Sequence, residues 1–124
     1  MIGLGVAVDT LAEIGTDNIQ KRIAELTQYM IDGLLAIPEV ELYGTHDAQK
    51  LAGVISWNVR GHSCSEIASR LGKEANVCVA SGAQGALLAI RPLGVNGVVR
   101  SSVHYFTSKE DIDALLAGLK KILA

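Results

Sequence analysis

Between Ile19 and Ile37 the apolar positions Ile19, Ile23, Leu26, Met30, Leu34 and Ile37 step by three and four. That spacing lays one apolar stripe along an α-helix, entered just after Gly15 and closed before Pro38. Ahead of it, Ile2, Leu4, Val6 and Val8 alternate as in a strand, while Leu4, Val8, Leu11 and Ile14 fit a helical face. Periodicity does not decide so short a run. Gly3 and Gly5 point to a closely approaching surface, though glycine also weakens a helix. Val40 to Tyr43 reads as a short strand and polar Gly44 to Lys50 as a loop. Val54, Ile55 and Trp57 lie in a strand of about six residues ended by Gly61. Ser63 or Ser65 can cap a short helix carrying Ile67, Ala68 and Leu71. Val77 to Ala80 reads as a third strand and Val98 to His104, rich in β-branched residues, as a fourth. Ser108 and Asp111 have capping-box spacing, with Asp in place of the usual Glu. They open a last helix whose apolar side is Ile112, Leu115, Leu116, Leu119, Ile122 and Leu123.

Helix, helix, strand, strand, helix, strand, strand, helix is the resulting order. It predicts an α+β domain: a small antiparallel or mixed sheet of about four strands with helices packed on one face. With no repeat, low-complexity stretch or internal linker, residues 1–124 read as a single domain.

Composition narrows the function classes. Hydrophobic residues make up 49% of the 124, with one Trp, one Phe and three Tyr, so the core must be mainly aliphatic. Net charge is −2 and no basic run exists, which argues against nucleic acid and against polybasic membrane attachment. Ile2 to Val8 has no basic region before it and is interrupted by Asp9, so it reads as neither signal peptide nor membrane span. Cys64 and Cys78 form no disulfide framework or metal pattern and read as free thiols of a cytoplasmic protein.

Several runs then line up together. Val79-Ala80-Ser81-Gly82, Leu93-Gly94-Val95-Asn96-Gly97-Val98-Val99-Arg100-Ser101-Ser102, and Thr107 through Asp113 resemble the C-terminal segment of cysteine desulfurases and related class V aminotransferases. Ile2-Gly3-Leu4-Gly5 with Glu13-Ile14-Gly15 resembles the helix that leaves their large domain. Ile37-Pro38-Glu39-Val40, Tyr43-Gly44, Gly53-Val54-Ile55-Ser56 and Glu66-Ile67-Ala68 fit as well. The resemblance covers nearly the whole chain and rests on the ordered set rather than on any one motif. It implies that Ile2 to Ile14 is a helix. It also implies a parent enzyme in which a large domain holds pyridoxal phosphate on a lysine that follows a histidine. No His-Lys pair occurs here. The chain alone is therefore expected to bind no cofactor and to be inactive, and Met1 reads as an artificial, proteolytic or truncated start. The expected partners are the large domain, a small amino-acid substrate in the parent, and a further copy in a homo-oligomer.

Arg100 matches the arginine with which that family clamps the substrate α-carboxylate. A guanidinium meets a carboxylate through two parallel charge-assisted hydrogen bonds; the plainer alternative is a sheet-surface arginine paired with a local acid. On a strand, Val98, Arg100, Ser102 and His104 share one face, and Val99, Ser101 and Val103 the other. His104 could thus line the same site or be a plain sheet residue. The loop Ser81-Gly82-Ala83-Gln84-Gly85-Ala86 matches the one that in desulfurases carries a nucleophilic cysteine, whose thiolate attacks the substrate sulfur and leaves as a persulfide. Gly85 falls at the cysteine position, and Ala80, Ala83 and Gln84 replace the arginine and histidines common there. Glycine offers no nucleophile, so the persulfide step does not carry over. The loop reads either as a tight glycine-rich turn or as a redesigned substrate-side loop.

The resemblance thus implies a substrate-binding set of Arg100, Ser81, Gly82, Gln84, Gly85 and His104, with no catalytic, cofactor or metal residue in the chain itself. Cys78 is expected to be a buried inert thiol in an apolar strand, and Cys64 to be more exposed. His62 and His46 are expected on loops and Trp57 in the core. The three histidines are too scattered for a metal set. The reaction is left open among transamination, epimerisation and elimination of sulfur or selenium. The reading from another class is a free-standing, non-catalytic interaction or small-ligand-binding module.

Overall fold

The computed structural model describes residues 2–124. The first helix, α1 (Ile2–Ile14), is followed directly by α2 (Thr16–Leu35). Gly15 separates them, its φ of +86° being open to a residue without Cβ. The stripe expected on α2 is the buried one: Leu26, Met30 and Leu34 face the core with Ala24, Thr27 and Ile31. The helix stops at Leu35, shortly before buried Ile37 and exposed Pro38, since proline cannot continue a helix.

Four strands follow: β1 (Val40–Tyr43), β2 (Val54–Val59), β3 (Ala80–Gly82) and β4 (Val98–Ser102). They form one sheet in the order β1-β2-β4-β3, antiparallel at every step, so the fold is α+β. Alternation along β2 buries Ile55, Trp57 and Val59 and turns Ser56 and Asn58 to the other face. The partner face of β4 buries Val99 and Ser101. Trp57 is fully buried, and its indole Nε1 donates to Ser101 Oγ at 2.9 Å, so the core tryptophan is satisfied. Helices α2, α3 (Cys64–Ala75) and α5 (Lys109–Leu123) cover this face. Ser63, not Ser65, caps α3 by accepting from Glu66 N at 3.1 Å. Ser108 and Asp111 form a complete capping box on α5.

Two strand limits differ from the sequence expectation. Val77 to Ala80 is not the third strand, which begins only at Ala80. After α3 ends at Asn76 in the left-handed region, Val77 and Val79 pack on the helical side of the core, and Val77 N donates to Leu71 O. Their apolarity reflects that packing, whereas the ladder is built from backbone groups and recruits polar Ser81 and Gly82 instead. Likewise β4 stops at Ser102, not His104. Val103 N still donates to Gly53 O, but His104 N turns to Thr107 Oγ1 and opens a bend. Gly53 is needed where it stands: its φ is +79°, and a Cβ there would lie 2.5 Å from Val103 O. A short helix, α4 (Leu87–Ile90), and a 3-10 turn at Arg91–Leu93 lie between β3 and β4. Nothing in a four-residue helix supports a periodicity, so it leaves no trace in the sequence pattern. The polar segment Gly44 to Lys50 contains a 3-10 turn at Ala48–Lys50, capped by the Asp47 carboxylate at 3.1 Å from Gln49 N.

Candidate functional site: a cleft around Arg100

The sheet face turned away from the long helices carries Arg100. Its cross-strand neighbours are Ser56 on β2 and Ala80 on β3, both short side chains. The guanidinium therefore rises between low walls and stays exposed. Beside it opens a cleft of about 310 Å³, bordered by Tyr43, Ser56, Gln84, Val98 and Arg100 and by Ala83, Ala86, Ala89, Ile90 and Leu93 from the β3–β4 connection. Arg100 is the one charged residue of that lining. The ion pairs among the described residues join Lys50 to Asp47, His62 to Glu66 and Arg70 to Glu74, and none reaches Arg100. Among the described residues, the arginine side chains that hydrogen-bond within the protein are Arg22, Arg60 and Arg70. Among the described residues Arg100 thus has no acid partner, and it borders the cleft.

The loop after β3 is shaped by backbone geometry. Ala86 N donates to Ala83 O at 2.8 Å, and the two residues inside that turn, Gln84 and Gly85, have φ of +51° and +75°. Two successive positive φ values define a type I′ turn. Gly85 accepts this freely, while Gln84 holds a conformation that costs an ordinary residue about 1 kcal/mol or more. The Gln84 amide reaches back to Val98 O at 3.4 Å and ties the turn to β4. No atom lies within 4 Å of a Cβ built on Gly85, so that position faces open space. Gly82 has φ of +99° and lies so near β4 that a Cβ on Gly97 would sit 2.8 Å from its Cα.

Of the six residues singled out in the sequence, Arg100 and Gln84 share the cleft. Ser81 and Gly82 pair with Val99 and Val98 in the ladder that presents Arg100, and Gly85 is in the turn beside Gln84. His104 lies past the end of β4, its ring 4.6 Å from that of Phe106, and is not in the cleft lining. Tyr43, Ser56 and the α4 residues border the cleft without having been singled out. Outward alternation on β2 pointed to Ser56, whereas no local signal marked α4.

The cysteines reverse their expected exposure. Cys78 is exposed, because its segment lies outside the ladder; Cys64 is half-buried and packs on the core. Its sulfur would be 3.1 Å from a Cβ on Gly97, against the glycine-rich strand ends. His62 Nδ1 lies 3.1 Å from Glu66 Oε1, and His46 is exposed. A larger groove of about 490 Å³ lies beside α5, bordered by Cys78, Ser101, Phe106 and Asp111 among others, but it contains no cationic side chain. A further cleft of about 370 Å³ carries Lys21 and Arg22 together with Glu25, whereas the Arg100 cleft holds a cation with no acid in its lining. Among the described residues no group of His, Cys, Asp and Glu could hold a metal ion, and no helix is long and apolar enough to cross a membrane.

The sequence profile of the family "Aminotransferase class-V" matches residues 1–115. The chain belongs to that family. It is 37% identical over 120 residues to a probable cysteine desulfurase of Halalkalibacterium halodurans, covering 97% of this chain and 29% of that protein. The apo structure of the cysteine desulfurase of Thermococcus onnurineus superposes with a TM-score of 0.91 at 32% identity, covering 98% of this chain and 30% of that one. C-DES, in a mutant with glycine covalently linked to the PLP cofactor, is 25% identical with a TM-score of 0.72, over 91% of this chain and 26% of that one. The chain thus spans about 30% of the length of these relatives.

Pyridoxal phosphate needs an amine to hold its aldehyde and donors to hold its phosphate. Lys21, Lys50, Lys73, Lys109, Lys120 and Lys121 are all exposed, and none borders the cleft. The residues present do not fit that cofactor by themselves.

Proposed function

We propose that this chain is the C-terminal, substrate-side domain of a pyridoxal-phosphate enzyme that transforms an amino acid, inactive alone. The cofactor, its lysine and its phosphate cradle belong to a large domain partnering this one in a cytoplasmic protein. Membership of the class V family and the 29–30% share of relatives' length support the proposal. The observation that carries it is Arg100, an unpaired guanidinium held between Ser56 and Ala80 on an open cleft. Such a group binds a substrate carboxylate by its fork as well as its charge. The Ser81 to Ala86 loop borders the bound substrate, and Gly85 leaves it without the nucleophile of a desulfurase.

The test titrates amino acids into the cofactor-bearing enzyme that contains this domain, following cofactor absorbance. Charged hydrogen bonds contribute about 1.5–3 kcal/mol, so Arg100→Ala should weaken binding roughly ten- to a hundredfold. Arg100→Lys should recover little, because one compact ammonium does not reproduce the fork. Thermal stability should hardly change. Normal binding by both variants, or loss of folding in both, would show Arg100 to be a structural residue.

A further inference from the structure

Apart from its single charge, the cleft is walled mainly by carbon. Ala83, Ala86, Ala89, Ile90 and Leu93 form the side away from the sheet. Its other polar side chains are on the sheet or in the turn after β3, with the Ser56 hydroxyl across the ladder from Arg100. The Tyr43 hydroxyl meets Glu41 Oε2 at 3.4 Å and Asn58 Nδ2 at 3.3 Å. The Gln84 amide is directed to Val98 O. No acid, lysine, histidine or thiol lines the space. From this we infer that the site is selective for small monocarboxylates with an aliphatic side chain, the carboxylate on Arg100 and the chain against the alanine-rich wall.

The inference rests on reading Arg100 as a carboxylate clamp and adds what the remainder of the ligand must be. Three alanines where larger side chains could stand leave room for several carbons, and about 310 Å³ suits a compact ligand. A hydroxyl, ammonium or second carboxylate at the far end would leave water against a wall whose side chains offer it no hydrogen bond, which disfavours it. An added methylene gains from the same wall, about fourfold in affinity each when buried.

The experiment is an amide NMR titration of the 124-residue chain at constant ionic strength with acetate, pentanoate, 4-hydroxybutyrate and pentylamine. Pentanoate and 4-hydroxybutyrate have the same number of heavy atoms and differ in the terminal group. Pentanoate is expected to bind roughly tenfold or more tighter than either acetate or 4-hydroxybutyrate, with shifts at Ala86, Ala89 and Arg100. Pentylamine should not bind there, and Arg100→Ala should remove the carboxylate response. If the three acids bind equally through Arg100, the aliphatic selectivity is wrong while the clamp stands. If no acid responds, or Arg100→Ala binds them as well as wild type, the clamp itself fails and the inference with it.

Discussion

Gly118, buried in α5, is set so close to α3 that a Cβ there would lie 2.5 Å from Ala75 Cβ and 3.4 Å from Leu71 Cδ2. Two effects oppose each other in Gly118→Ala. Helix propensity favours alanine by about 0.8–1.0 kcal/mol. Against it, carbon atoms settle about 3.5–4.0 Å apart, so the helices must separate by roughly 1 Å. Overpacking of this kind costs about 1–3 kcal/mol, and Ala75 has no side-chain torsion with which to yield. The clash should win, leaving the variant about 1 kcal/mol less stable and melting about 4 °C lower. Ala75→Gly alone should also destabilise by up to about 1 kcal/mol through lost propensity. Combined, the two move one methyl across the contact and should return near wild-type stability. The coupling is then favourable by about 2 kcal/mol, well beyond ordinary additivity error. Chemical denaturation of the four proteins measures the cycle. A more stable Gly118→Ala, or strictly additive variants, would refute the claim that helix approach at this point dictates glycine.

Two further outcomes are expected. Leu4, Val6 and Val8 of α1 are 70%, 60% and 56% exposed, and an apolar helix so uncovered should make the chain self-associate; light scattering across a concentration series should show this, and deleting residues 1–14 should abolish it, whereas a strict monomer at high concentration would count against the idea. At the start of α5, Ser108→Ala should cost about 1 kcal/mol through the lost cap. Hydrogen bonds from the Ser108 backbone and hydroxyl hold the Asp111 carboxyl below its usual range. A carboxyl so lowered contributes stability that is complete above the ordinary aspartate range and lost as pH falls through the lowered value. The gap in melting temperature between wild type and Asp111→Asn should therefore be full at neutral pH and close on acidification; a gap unchanged at acid pH would refute the cap's role.

Local chemistry determined much of this protein in advance. The stripe of α2, the cap Ser108, a cap at Ser63 or Ser65, the inward alternation of Ile55 and Trp57, and the glycine at the turn after β3 are written in neighbouring residues, because helix periods, caps and turns are short-range constraints. Arg100 was legible for a related reason: its strand places it opposite Val99 and Ser101, on the face that the core does not use. Tertiary structure alone decided what depended on distant partners. Val77 and Val79 look like strand residues but pack on the helices, since apolar side chains answer to any buried surface while ladders answer to backbone register. Backbone register likewise left Cys78 exposed outside the ladder, while Cys64 at the start of α3 is half-buried against the core. Register also decided that His104 falls beyond the end of β4, where Thr107 takes its amide. The cleft is the furthest from local sequence. Its arginine is from β4, its floor from β2 and its apolar wall from the turn and short helices between β3 and β4, and only the folded chain brings the three together.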